Sequence, residues 1–193
     1  TRFKPTGGSV SRSPADPAVV GTVCALRPEK NLTRLLQACA MAGRQRPLKV
    51  LIVGDGPERP KLEAESIRLG IADIVDFTGG SDRPEDHLAR MDVFVLSSDT
   101  EQMPLGVLEA MATGLPVAST NVGDVARMLG GTNRRYVVPA GDTAALAAAI
   151  GDLCDSPDAR AEVGLENLEK VRLVYPLTKM IEAYDRLFAG ATD

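Results

Sequence analysis

Six short, continuously apolar runs recur along the chain with helical patterns between them, and this alternation constrains the fold more than any other feature. The runs are Ala18 to Cys24 (AVVGTVC), Leu48 to Val53 (LKVLIV), Ile74 to Thr78 (IVDFT), Val93 to Leu96 (VFVL), Pro116 to Ser119 (PVAS) and Tyr136 to Val138 (YVV). A strand that is apolar at nearly every position, not at every second one, is buried on both faces, as in a parallel sheet covered by helices.

The intervening segments carry helix start and stop signals. Asn31 is placed to cap Leu32 to Ala42, where Leu32, Leu35, Leu36 and Cys39 fall on one helical face. Pro57 is expected to open a helix that runs to about Leu69, with Gly70 ending it. Asp142 caps an alanine-rich helix from Thr143 to Cys154, and Ser156 with Pro157 starts another that reaches about Arg172. The last helix, Leu177 to Phe188, gathers Met180, Ile181, Tyr184 and Leu187 on one side. The predicted fold class is therefore α/β, a doubly wound, six-stranded parallel Rossmann-like sheet with helices on both faces and further helices at the C-terminus.

Composition narrows the function. The chain has 193 residues, 44% of them hydrophobic, enough for one substantial core. Its net charge of -4, with no basic run interleaved with aromatics, argues against nucleic acid as a partner. No apolar stretch approaches the roughly 18 to 20 residues of a membrane span, and there is no signal-peptide pattern, so the expectation is a soluble, cytoplasmic protein. Cys24, Cys39 and Cys154 lie far apart with no Cys-x-x-Cys pairing, which predicts reduced, buried thiols instead of a metal or disulfide framework. The opening stretch, Thr1 to Pro14, is polar and rich in Gly, Ser and Pro, and reads as a linker.

The predicted topology locates a site. In strand order 3-2-1-4-5-6 the sheet reverses direction of growth between strands one and four, and ligands bind beyond the carboxyl ends at that point. The loops concerned are Ala25 to Asn31, with Arg27 and Lys30, and Ser97 to Gly106, with Glu101. The second loop feeds a helix whose expected first residue is Pro104, leaving the amides of Leu105, Gly106 and Val107 free. Such a helix start suits phosphate, and Lys30 opposite adds a point charge. Glu109 lies one turn further in among Leu108, Ala110, Met111 and Ala112, where it is either a solvated helix carboxylate or an acceptor for ribose hydroxyls. Glu101 is either a loop carboxylate favoured by the helix dipole or a ligand group. Gly54-Asp-Gly56 fits a tight strand-to-helix turn as well as a ligand contact, and the single histidine, His87, is assigned to structure.

The segment Glu101-Gln-Met-Pro-Leu-Gly-Val-Leu-Glu109-Ala-Met-Ala, with Gly114-Leu-Pro-Val and Thr120-Asn-Val-Gly-Asp124 after it, resembles the Glu-x7-Glu signature of the retaining family-4 glycosyltransferases of the GT-B fold. The likeness extends to Gly21 through Asn31, Val53 to Pro57 and Phe77 to Gly79, in the family's order and spacing. It implies the C-terminal, donor-binding half of such an enzyme, inactive without an acceptor-binding N-terminal domain. The implied division is a linker remnant at 1–17, a Rossmann-like nucleotide-sugar-binding domain at 18–175, and a C-terminal helix at 176–193 that packs toward the N-terminal domain.

The resemblance also implies roles. Lys30 binds the donor diphosphate, Glu101 the hydroxyls of the donor sugar and Glu109 the ribose. Gln102, Met103, Pro104, Leu105 and Gly106 cradle phosphate and sugar, while Gly54 and the loop with Ser81 and Arg83 meet the nucleotide and its base. The donor is a UDP-, GDP- or ADP-sugar, with no cofactor and no essential metal, in keeping with the lack of an Asp-x-Asp triplet. Any peripheral membrane contact belongs to the full-length enzyme. Two positions depart from the pattern. Ala25 stands where the family usually has an arginine, so Arg27 is the substitute candidate on the phosphates, and Met103-Pro104 replaces an aromatic-Gly pair. The loss at Ala25 motivates an alternative, a non-catalytic nucleotide- or sugar-binding subunit of the same fold. A nicotinamide dehydrogenase is excluded, because no Gly-x-Gly-x-x-Gly turn follows the first strand.

Overall fold

A computed structural model describes Phe3 and residues 16–190. Most of the linker reading at 1–17 and the last three residues lie outside them.

The six strands are β1 (Ala18–Val23), β2 (Leu48–Val53), β3 (Val75–Gly79), β4 (Val93–Leu96), β5 (Val117–Thr120) and β6 (Val137–Val138). They form one sheet in the order β3-β2-β1-β4-β5-β6, every neighbouring pair parallel. This is the predicted doubly wound topology, and β1 and β4 flank the reversal. The continuous apolar runs are explained by two cores. Successive side chains of a strand point to opposite faces, so Val20, Val50 and Ile52 enter one core while Val19, Leu51 and Val53 enter the other.

Helices cover both faces. α1 (Leu32–Ala42), α2 (Arg59–Arg68) and α6 (Thr143–Asp155) supply the first core, with Leu35, Leu36, Leu62, Leu146 and Ile150 fully buried. α3 (Pro84–Leu88), α4 (Leu105–Thr113), α5 (Val125–Met128) and α7 (Pro157–Val174) close the second, through Leu88, Val107, Met111, Met128 and Val171. Capping follows the sequence signals: Asn31, Asp142 and Ser156 each accept a hydrogen bond from the amide three residues on. Two boundaries differ from expectation. α2 begins at Arg59 with Pro60 in its first turn, so Pro57 precedes the helix. The segment before β6 holds α5 and a 3-10 turn, Gly131–Tyr136, neither of which the sequence pattern shows.

Beneath that turn lies a buried polar network. Asn133, with no exposed surface, accepts from the Val117 amide at 3.0 Å and donates to the Val117 carbonyl at 2.8 Å, while Asn167 donates to both Asn133 and the Leu115 carbonyl at 2.8 Å. It ties α7 and the turn to the edge of β5. α8 (Leu177–Ala189) buries no residue, and its Leu177, Met180, Ile181, Tyr184, Leu187 and Phe188 are all about half exposed or more. Among the described residues no helix is long and apolar enough to cross a membrane.

Candidate functional site

The carboxyl ends of β1 and β4 place the two candidate loops side by side. After β1, residues Pro28–Lys30 form a 3-10 turn, and Asn31 adopts a left-handed conformation (φ 43°), the only non-glycine among the described residues to do so. Asparagine tolerates that region because its short side chain bonds locally, here to the Arg34 amide at 3.2 Å.

The second loop is laced to the first. The Ser97 hydroxyl donates to the Lys30 carbonyl at 2.9 Å, and the Asp99 amide donates to the Glu29 carbonyl at 2.9 Å. Arg34 donates to the Ser97 carbonyl at 2.8 Å and pairs with Asp99 at 2.6 Å, while the Asn31 amide group donates to Asp99 at 3.0 Å. The result is an ion pair between Lys30 Nζ and Glu101 Oε1 at 2.6 Å. Ser98 donates to the same carboxylate oxygen at 2.7 Å, and Thr120, fully buried, donates to the Ser98 carbonyl at 2.7 Å. A third segment props the loop from behind. Asp124 donates its amide to the Gln102 carbonyl at 2.8 Å, and Gly123 packs so closely that a β-carbon there would stand 2.4 Å from the carbonyl oxygens of Glu101 and Gln102.

α4 starts one residue later than expected. Pro104 is its N-cap, with extended backbone (ψ 112°), and its carbonyl accepts from the Val107 amide at 3.1 Å. Val107 is thus satisfied, and the first-turn amides of Leu105 and Gly106 have no backbone partner among the described residues. Gly106 approaches the Val23 carbonyl, where a β-carbon would sit 3.2 Å away. Gln102, Met103 and Leu105 are exposed around this helix start.

Beside the loops lies a cavity of about 370 Å³ lined by Val23, Cys24, Ala25, Val53, Gly54, Asp55, Gly80, Ser81, Pro84 and Glu109. It therefore unites Gly54, Ser81 and Glu109, three of the predicted residues, with Ala25. Lys30 and Glu101 form their own pair next to it. Gly54 is fixed by sterics: its φ is 141°, its amide donates to the Gly79 carbonyl at 2.8 Å, and a β-carbon would collide with the Cys24 carbonyl oxygen. Ser81 accepts from the Arg83 amide at 3.1 Å and lies 3.1 Å from Nε2 of His87, whose Nδ1 is buried with no partner among the described residues. The Arg83 guanidinium turns to the first turn of α3, 2.8 Å from Asp86. Arg27 is exposed, and no described side chain pairs with it. Burial pushes the Cys24 thiol up to about 11, against the opposing pull of Lys30, so it lines the cavity as a neutral group. A larger hollow, about 550 Å³, sits at the opposite, amino-terminal edge of the sheet among Lys49, Asp73, Asp76 and Arg90. None of the candidate residues reaches it.

Sequence reasoning found the two loops but missed the residues that hold them: Arg34, Ser97, Ser98, Thr120 and Gly123. Only Gly123 carried a signal, since a glycine within the turn stretch Thr120-Asn-Val-Gly-Asp124 marks a backbone that needs a positive φ or a close approach.

The sequence matches the family model described as Glycosyl transferases group 1 over residues 17–156. The chain belongs to this family. It is 30% identical over 162 residues to N-acetyl-alpha-D-glucosaminyl L-malate synthase of Bacillus anthracis, covering 84% of this chain and 42% of that protein. It is 35% identical over 144 residues to 2-deoxystreptamine N-acetyl-D-glucosaminyltransferase of Streptomyces fradiae, covering 72% and 34% respectively. Its fold matches the crystal structure of Anabaena HepE in complex with UDP with a TM-score of 0.83 at 21% identity, over 92% of this chain and 50% of that one. This group 1 glycosyl transferase chain thus has the C-terminal domain fold of the GT-B enzymes and spans half or less of each of these proteins.

Proposed function

We propose that this chain is the donor half of a retaining glycosyltransferase that moves a hexosyl group from a UDP-, GDP- or ADP-sugar to a glycan, lipid or small-molecule acceptor. The observation that carries the reading is Glu109, which opens with Gly54 and Ser81 into a cavity at the sheet's point of reversal, beside the amino-terminal end of α4. Ribose hydroxyls then donate to Glu109 and the base lies against the loop of Ser81 and Arg83. The diphosphate runs toward Lys30 and the amides of Leu105 and Gly106, with Gln102, Met103 and Pro104 around it, and the sugar reaches Glu101. Fixed amides and an ammonium group stabilise charge as it builds on the departing diphosphate, which lowers the barrier without a metal. The names of the relatives, which are sugar transferases or a glycosaminyl malate synthase, and the UDP in the HepE structure support this reading.

On this reading the enzyme is cytoplasmic and its acceptor sits on an N-terminal domain that follows the family's two-domain plan. Residues 1–17 are the connector, 18–175 the donor domain, and the exposed apolar stripe of α8 packs toward that second domain, so the isolated chain transfers no sugar. The test is calorimetric titration of the chain with UDP, GDP, ADP and their hexose conjugates, before and after Glu109→Ala. Binding of one base series that weakens about tenfold or more in the variant is expected, since it loses hydrogen bonds to a charged acceptor. Binding that ignores the substitution removes Glu109 from the site.

A second reading has one observation in its favour. Ala25 lines the cavity where the resemblance implies an arginine, and Arg27 is exposed with no side-chain partner among the described residues, as in a binding subunit that has lost donor chemistry. Sugar transfer by the full-length protein decides between the two.

A further inference from the structure

The Lys30 ammonium, which the proposed site sets against the donor diphosphate, already holds an anion. Glu101 Oε1 lies 2.6 Å from Lys30 Nζ and 2.7 Å from the Ser98 hydroxyl, with the carboxylate side chain 10% exposed and the lysine 22%. Both donors converge on one oxygen. Oε2 accepts from no described residue. Ser98 is itself buried and clamped through its carbonyl by Thr120, and Gly123 and Asp124 pack on the carbonyls of Glu101 and Gln102, so the backbone that carries the carboxylate is held at both ends.

We propose that Glu101 competes with the donor's diphosphate for Lys30, and that this competition makes the domain prefer a sugar-loaded nucleotide over the nucleoside diphosphate left after transfer. The inference rests on the donor-binding reading given above. When a free nucleoside diphosphate draws Lys30 toward its phosphates, a largely buried carboxylate loses its counter-charge and gains nothing, which opposes binding. When a sugar is attached, its hydroxyls donate to the vacant Oε2 and offset that loss. Glu101 then reads the presence of the sugar through what it loses and regains, not only through contact. The product nucleotide is weakened relative to the substrate, which favours its release.

The test compares each nucleoside diphosphate with its hexose conjugate by titration calorimetry on the chain, as wild type, Glu101→Gln and Ser98→Ala, with Glu109→Ala in parallel and thermal melts to verify folding. The wild type should bind the sugar nucleotide more tightly than the diphosphate. Glu101→Gln, isosteric and uncharged, should tighten the bare diphosphate about tenfold and bring the ratio toward one, because the rival charge-assisted bond to Lys30 is gone. Ser98→Ala, which frees the carboxylate to leave Lys30, should shift the ratio in the same direction. If nucleotide binds and depends on Glu109 but Glu101→Gln leaves the diphosphate unchanged or weakened, the competition is overturned while the donor-binding reading stands. If the folded wild type binds no nucleotide, both fall together.

Discussion

Gly123→Ala should do more harm than its size suggests, and the structure allows the damage to be worked out. Gly123 has φ of 52°, a left-handed conformation that a side chain raises by about 1–2 kcal/mol. The new β-carbon would stand 2.4 Å from the carbonyl oxygens of both Glu101 and Gln102, and real contacts of this kind essentially never fall under 3.0 Å. Backbone must therefore yield by about 0.6 Å, the difference between those two distances. The group displaced is Glu101, whose bonds to Lys30 and Ser98 are 2.6 and 2.7 Å long, and stretching them gives up about a further 1–2 kcal/mol. The total, about 2–4 kcal/mol, corresponds to a fall in Tm of about 4–16 °C for a chain of this size. Gly70→Ala is the matched control: φ is 70° but no atom lies within 4 Å of the β-carbon, so only the conformational part, about 1 kcal/mol, is lost. Urea denaturation of the two variants separates the parts. Equal losses would refute the claim that Gly123 acts by admitting the Glu101 loop.

Two further predictions concern the core. Asn133→Ala strands the Val117 amide and carbonyl and one Asn167 contact in a fully buried place, and should cost about 3 kcal/mol in urea denaturation; a loss under about 1 kcal/mol would mean that the network is not structural. Burial raises the Cys24 and Cys154 thiols from 9.0 to about 11, and Cys39 in the same direction, so the folded chain keeps protons that the unfolded chain releases. Stability from this source is complete below pH 9 and is lost as pH rises toward 11, by about 1.4 kcal/mol per pH unit for each thiol. Replacing Cys24 with Ala should flatten the alkaline limb of a stability profile, and an unchanged slope would refute the assignment.

The sheet was legible because burial on both faces leaves a local mark: the central strands β1 and β4 are apolar at nearly every position, polar residues such as Lys49 and Asp76 interrupt only β2, β3 and the end of β5, and all six runs fall within a residue or two of the observed strands. Helices with a capping side chain, at Asn31, Asp142 and Ser156, were legible for the same kind of reason. α5 and the 3-10 turn at Gly131–Tyr136 were not. Neither has a side-chain cap; the turn is held by Asn133 and by Glu166, which accepts from the Thr132 amide and hydroxyl from 34 residues away, and α5 receives a bond from Lys170 to its Arg127 carbonyl from 43 residues away. Pro104 was misplaced by one residue because proline suits both the first helical position and the residue before it, and only the backbone ψ tells them apart. In the site, topology brought Lys30 and Glu101 to one edge, but their pairing is a matter of rotamers held by Ser98 and Gly123, which no periodicity records.

The contact of Gly54 with the Cys24 carbonyl has a consequence for how such a cavity can change. Its floor is main chain against main chain, and Gly56 meets the Leu26 carbonyl in the same way. Substitution can neither deepen such a floor nor decorate it, since any side chain there pushes two strands' ends apart. Variation is confined to the rim, where Ala25, Asp55 and Ser81 are exposed and can be exchanged without disturbing the sheet. A library that seeks a new base preference should diversify those three positions and leave the two glycines alone.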